Sequence, residues 1–206
     1  MADKGSPRLL MAGSTIVLIG LLLSGWRPFD RLTWLMEVLP VLVVMPVLWL
    51  THSRFPLTAI LLTGIFLHCA VLMLGGAYTY ARVPLGFSLQ DLFALDRNPY
   101  DKIGHFFQGM VPALAARELY IRHAIVNGRA WLAFLVVCTV MAVSAVYELI
   151  EWVAALIMGQ GADEFLGTQG DVWDTQSDMF LALLGAVFTL AVLSRWQDRQ
   201  IRRLAG

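Results

Sequence analysis

Apolar residues in this chain fall into long blocks rather than the short alternations of a half-buried strand or a surface helix. Leu9–Ser24, Leu32–Leu50, Leu57–Tyr78, Trp131–Met158 and Met179–Leu193 are each dominated by Leu, Val, Ile, Ala and aromatic residues. A helix needs about 20 such residues at 1.5 Å rise each to cross hydrocarbon, where every backbone polar group must be satisfied within the segment. A sixth stretch, Ile103–Tyr120, has suitable length but weaker character. It follows Asp101 and Lys102, contains His105 and Pro112, and ends in Arg117 and Glu118. The pattern predicts an all-α, polytopic transmembrane bundle of about six spans, with residues 1–206 as one integral membrane domain. Without this fourth stretch in chain order the count is five.

Composition agrees with this solvent. Of 206 residues, 58% are hydrophobic and 15% charged, and the mean hydropathy is +0.69. Basic and acidic residues number 15 each, so no charge excess points to a nucleic-acid partner; the lipid bilayer is the expected partner. Cys69 and Cys138 lie far apart within apolar runs and read as packing residues rather than a disulfide framework. Lys4 and Arg8 precede the first apolar run without a small-x-small cleavage pattern, which reads as a retained span.

Charge placement adds an orientation. With six spans and the amino terminus inside, one side collects Lys4, Arg8, Arg54, Arg117, Arg122, Arg129, Arg195, Arg199, Arg202 and Arg203. The other keeps Arg27, Arg31, Arg82, Arg97 and Lys102. Loops rich in Lys and Arg stay cytoplasmic, so both termini are expected in the cytoplasm. The segment Gly159–Thr175, with four acids and no Lys or Arg, is expected outside. Its glycines, Gly159, Gly161, Gly167 and Gly170, suggest a tight re-entrant or capping loop. Between spans three and four, Phe87, Ser88, Asp91 and Leu92 suggest the N-terminus of a short interfacial helix, ended by Asn98 and Pro99.

Three polar groups disturb the apolar pattern. Asp101, His105 and Gln108 share one face at the start of span four. Glu148 and Glu151 share a face of span five, with Ser144 a turn earlier. Asp171, Asp174 and Asp178 lead into span six. An ionisable group at a helix centre costs about 2.5–3.5 kcal/mol on insertion scales, so each needs a partner or a purpose. In the orientation above all three groups lie at the outer face. So many carboxylates in a low dielectric require an offset: a divalent cation, protonation, or pairing with Lys102, His105 and outer arginines. An acid-rich set with one imidazole suits Mg, Mn or Ca better than structural zinc. The expected ligand-binding residues are Asp101, Lys102, His105, Glu148, Glu151, Asp171, Asp174 and Asp178. Glu148, Glu151, Asp174 and Asp178 are the expected metal ligands, and His105 and Glu148 the candidate catalytic groups. Glu37 in span two reads as half of a structural pair with His68 or Arg31.

The stretch from Tyr147 to Gly185, reading YELIEW and then GQGADEFLGTQGDVWDTQSDMFLALLG, resembles the YjdF-type bacterial inner-membrane family. More distantly, Asp101, Lys102, His105, Glu148, Asp178 and Gly185 resemble the pattern of the VanZ-like membrane family. Here the chain departs from that pattern by carrying Glu151 for its Gln and Ala182 for its Asn, and by lacking its arginine before the last Asp. Both resemblances imply envelope association in the bacterial inner membrane. Three functions fit these residues: a binding or accessory protein whose pocket holds a cation or lipid head group, a metal-dependent hydrolase acting on a lipid-linked phosphate or ester, and a small proton-coupled transporter.

Overall fold

The computed structural model describes residues 7–158 and 168–205, and every regular element among them is helical. The helices are α1 (Pro7–Trp26), α2 (Arg31–His52), α3 (Ala59–Tyr78), α4 (Pro84–Phe93), α5 (Tyr100–Arg122), α6 (Arg129–Met158), α7 (Asp174–Phe188) and α8 (Ser194–Ala205). A π turn, Thr189–Leu193, carries α7 into α8 without a break. The glycine-rich loop expected to fold back tightly lies mostly at 159–167, outside the described residues.

By length and apolarity, α1, α2, α3, α6 and the α7–α8 rod are each able to cross a membrane. At 23 residues α5 matches them in length but not in apolarity. Its position explains the difference. α5 packs against α3, α6 and α7, and Asp101, His105, Gln108, Arg117 and Glu118 are all buried on it. A helix enclosed by other helices meets protein rather than lipid, so its polar groups find partners there. Cross-helix contacts give its direction. Tyr100 donates to Val71 O of α3, Tyr120 meets Thr139 of α6, and Thr189 donates to Met110 O. Thus α5 runs antiparallel to α3 and α6 and parallel to α7. The major helices alternate in direction, and the chain traverses the bundle six times.

The rod 174–205 extends well past the expected end at Leu193. Nothing from Ser194 to Leu204 is Gly or Pro, and Arg and Gln are good helix formers, so the helix continues into a basic, amphipathic end. Helix α4 also starts a turn earlier than its Ser88 signal suggests. Pro84 takes the first helical position, where its fixed φ fits and its missing N–H costs nothing, and Ser88 instead donates to Pro84 O. It closes at Ala94 in the left-handed region (φ 50°), ahead of Asn98 and Pro99.

Small residues set the closest crossing. Gly109, Ala113 and Ala116 of α5 face Ala182, Gly185 and Ala186 of α7, and a methyl group at Gly109 would overlap the Ala182 carbonyl. Such stripes let helices in lipid approach to backbone contact. Asp101 and His105 lie on the turns before Gly109, and Asp178 on the turn before Ala182, so this crossing also brings them together.

At the opposite end of the bundle, Glu118 is fully buried. It accepts from Thr58 N (3.0 Å), Thr58 Oγ1 (2.6 Å), Arg122 (3.0 Å) and Gln197 Nε2 (3.3 Å). Arg117 pairs with Asp198 (2.5 Å) and Gln197 (3.0 Å) beside it. This network ties α3, α5 and α8, and its saturated hydrogen bonding marks it as structural.

Asp30 caps α2 by accepting from Thr33 N at 2.7 Å, and that bond holds its carboxyl below the usual range. Removing such a cap costs about 1 kcal/mol. A depressed folded-state pKa contributes stability that is present above the ordinary aspartate value and is lost as pH falls through the depressed one. Asp30→Ala is therefore expected to lower stability at pH 7, with the gap to the wild type closing as the pH falls below the ordinary aspartate value. Denaturation of both proteins at neutral and at acid pH checks this.

Candidate functional site

The starts of α5 and α7 and the end of α6 meet at one end of the bundle, near the start of α2 and the end of α3. His105 is the hub. Its Nδ1 stands 2.8 Å from Gln108 Oε1, and its Nε2 faces Asp101 Oδ1 at 3.4 Å and Asp178 Oδ2 at 3.7 Å. Glu148 Oε1 stands 3.9 Å from Nδ1. Asp101, His105 and Asp178 are buried, and each offers a ligand atom within 4.8 Å of the other two. Asp101 Oδ2, Glu148 Oε1 and Asp178 Oδ1 are buried without a hydrogen-bond partner.

That geometry has a chemical consequence. Gln108 Oε1 can only accept, so it fixes the imidazole proton on Nδ1. Nε2 of the neutral ring is then an acceptor facing two carboxyl oxygens. Three acceptors aimed at one point repel unless a cation, either a proton or a metal ion, stands among them. Ligand atoms about 2.0–2.2 Å from a metal sit about 3–3.5 Å from one another, near the two distances from His105 Nε2 to Asp101 and Asp178. Gln108 has the position of an outer-shell partner that fixes a ligating histidine.

The remaining expected residues are distributed around this hub. Lys102 donates to Ser177 Oγ at 2.6 Å and stands 3.9 Å from Asp178 Oδ1, supplying positive charge at the rim. Asp171 and Asp174 converge on Arg97, at 2.9 and 2.7 Å, and Arg97 also donates to Thr168 O. Burial disfavours the Arg97 charge, but Asp174 and Asp171 outweigh this and hold its pKa above the ordinary arginine value. Both acids thus have a structural partner, one of the outer arginines anticipated from the sequence. Of the four expected metal ligands, Asp178 belongs to the tight group and Glu148 stands behind His105. Asp174 is engaged by Arg97, and Glu151 borders a neighbouring cavity.

That cavity, of about 220 Å³, begins at Asp101 and His105 and reaches Glu37, Tyr80, Tyr147 and Glu151. Glu37 is buried with Oε2 unpartnered, and His68 lines the same space. Sequence reasoning set Glu37 aside and passed over Tyr80. The rule that an acid inside a span needs a purpose could have kept Glu37; nothing in the sequence marks Tyr80.

Below the site, Ala113, Ala116, Val136, Val140, Ala182 and Ala186 form an apolar layer. Beyond Ser144, whose hydroxyl is buried and unpartnered, the next hydroxyl on α6 is Thr139, engaged with Tyr120 and Leu135 O.

No solved structure matches this chain. It is 58% identical over 197 residues to the inner membrane protein YjdF of Escherichia coli (strain K12), covering 96% of this chain and 94% of that protein. The model of the predicted membrane protein family DUF2238 matches residues 9–199. With a relative so similar along nearly its whole length and a family match across the bundle, the chain belongs to the DUF2238 family of membrane proteins.

Proposed function

We propose that this protein resides in the bacterial inner membrane and binds one divalent cation, Mg, Mn or Ca, in an outward-facing recess, as an envelope-associated binding protein. The observation that carries the reading is the set of three acceptors, His105 Nε2, Asp101 Oδ1 and Asp178 Oδ2, around one point, with Gln108 holding the imidazole proton on the far side. The unpartnered oxygens of Asp101 and Asp178 supply further ligands. The location follows that of the Escherichia coli relative, an inner membrane protein. The outward orientation, with both termini cytoplasmic, is supported by the Lys and Arg residues concentrated at the end opposite the site.

Metal analysis of purified protein after equilibration with Mg, Mn or Ca tests the reading. Wild type is expected to retain about one ion per chain, and Asp178→Asn and Asp101→Asn to bind at least tenfold more weakly. Gln108→Leu, which removes an outer-shell partner, is expected to weaken binding about 10–100-fold. Equal metal content in wild type and both Asn variants would refute it.

One observation favours a second reading, a metal-dependent hydrolase acting on a lipid-linked phosphate or ester. Glu148 Oε1 is buried and unpartnered 3.9 Å from His105 Nδ1, a spare acceptor available as general base for a metal-bound water. Loss of hydrolysis with retained cation in Glu148→Gln would select it. The transporter reading draws no support from the apolar layer below the site.

A further inference from the structure

We infer that the cavity beside the cation cluster receives the ammonium group of an amine-headed lipid, which enters sideways between α2 and α6. The inference rests chiefly on Glu37, Glu151, Tyr80 and Tyr147, shares Asp101 with the cation reading, and does not require that reading.

The cavity has the size and chemistry of a head-group site. At about 220 Å³ it would hold roughly seven waters at about 30 Å³ each, far more space than a bare metal ion fills. Its most buried acid, Glu37, is 3% exposed and has an unpartnered Oε2. Asp101 and Glu151 add two more carboxyl groups. Tyr80, Tyr147, His68, His105 and Gln108 also line the cavity, but its three carboxyl groups are best answered by an ammonium group, which brings three donors and a positive charge, and they disfavour an anion in the same place. Tyr80 and Tyr147 line the same space, with their hydroxyls within reach of Glu37. Tyr80 is held there at a cost. Thr79 and Tyr80 both adopt left-handed backbone (φ 56° and 45°), which is unfavourable for residues with a side chain, and the Tyr80 ring is pressed against Gly75 and Gly104.

The route in is lateral. α2 supplies Glu37 and Pro40 to one wall and α6 supplies Val143, Tyr147 and Glu151 to the other, yet these two helices do not pack extensively on each other. Pro40 and Val143 at the two lips are exposed on the bundle surface. An apolar groove along α6, from Thr139 to Ile150, shares Val143 and Tyr147 with the cavity. A head group at Glu37 would therefore leave its acyl chain along that groove, on the face that meets the bilayer. Continuity of the groove with a carboxyl-lined end is what commits it to an amine-headed lipid.

Native mass spectrometry of the full chain, released from micelles containing equal amounts of phosphatidylethanolamine and phosphatidylglycerol of matched chains, tests this. Wild type is expected to retain the ethanolamine lipid at least tenfold over the glycerol lipid. Glu37→Gln is expected to bring the ratio to near unity. Val143→Trp fills the lip while leaving every carboxyl in place, and is expected to lower retention of the ethanolamine lipid by a similar factor. Equal retention of the two lipids by wild type, or an unchanged ratio in Glu37→Gln protein that remains monodisperse, would overturn the inference. So would displacement of the lipid by free ethanolamine at equal concentration, because the ligand would then be a soluble amine. Metal content of the same samples is read separately, so loss of the cation and loss of the lipid are distinguishable.

Discussion

Gly185→Leu is expected to destabilise the bundle by more than about 3 kcal/mol and to weaken cation retention at least tenfold. A Cβ at this position would overlap Phe106 O and lie 2.6 Å from Met110 N and 3.0 Å from Gly109 C. Those are backbone atoms, which cannot swing aside as a side chain would. Overpacking a core typically costs 1–3 kcal/mol when neighbouring side chains and local backbone can shift; here two helices must separate. Asp178 is seven residues from Gly185, and His105 four from Gly109, so the distances to the site are about 10 and 6 Å along the axes. A separation of 1 Å between α5 and α7 is enough to spoil a coordination geometry. Gly185→Ala adds only the Cβ and is expected to fall between wild type and Gly185→Leu. Thermal unfolding in detergent, with metal content of the folded fraction, measures both effects. Wild-type stability and cation retention in Gly185→Leu would mean that the α5–α7 crossing does not position the site.

This coupling of packing to chemistry explains what the sequence discloses and what it hides. The acids on α5, α6 and α7 stand out because a charge in an apolar run is costly wherever it sits. Their approximate gathering also follows from alternating spans, since α5 starts, α6 ends and α7 starts at one end. The weak apolarity of α5 is legible as well, once it is understood as the price of a central position. Partner choice is not legible. Asp171 and Asp174 look equivalent to Asp178 by spacing, but Arg97, more than 70 residues earlier, takes the first two and leaves the third for His105. Glu37 reaches the cavity only because α2 lies across from α6, a lateral arrangement that no local pattern encodes. Tyr80 depends on two consecutive left-handed residues that are not glycine, a conformation imposed by the packing around them. Local propensity similarly points to Ser88 for the start of α4, where Pro84 wins by being preorganised.

The two polar ends of the bundle should then respond differently to mutation. Glu118→Ala is expected to lower stability by about 3–5 kcal/mol, the usual consequence of removing one partner from a buried ion pair. Glu118 receives two bonds from Thr58, one from Arg122 and one from Gln197. After truncation the Thr58 N–H and the Gln197 amide lose an acceptor in a buried setting, and Arg122 keeps only Pro56 O and the face of Phe55. Glu118→Gln, which keeps the shape but removes the charge facing Arg122, is expected to be less severe. Yet Glu118 lies 13 residues beyond His105 on α5, about 20 Å at 1.5 Å per residue, with the apolar layer of Ala113, Val136, Val140 and Ala182 between. Sites so far apart with no shared partners behave nearly additively. Folded Glu118→Ala is therefore expected to retain the cation like wild type while unfolding at lower temperature, the reverse of what Asp178→Asn should do. Loss of cation from folded Glu118→Ala would show that the recess depends on the whole length of α5. The apolar layer could not then be treated as insulation between the two ends.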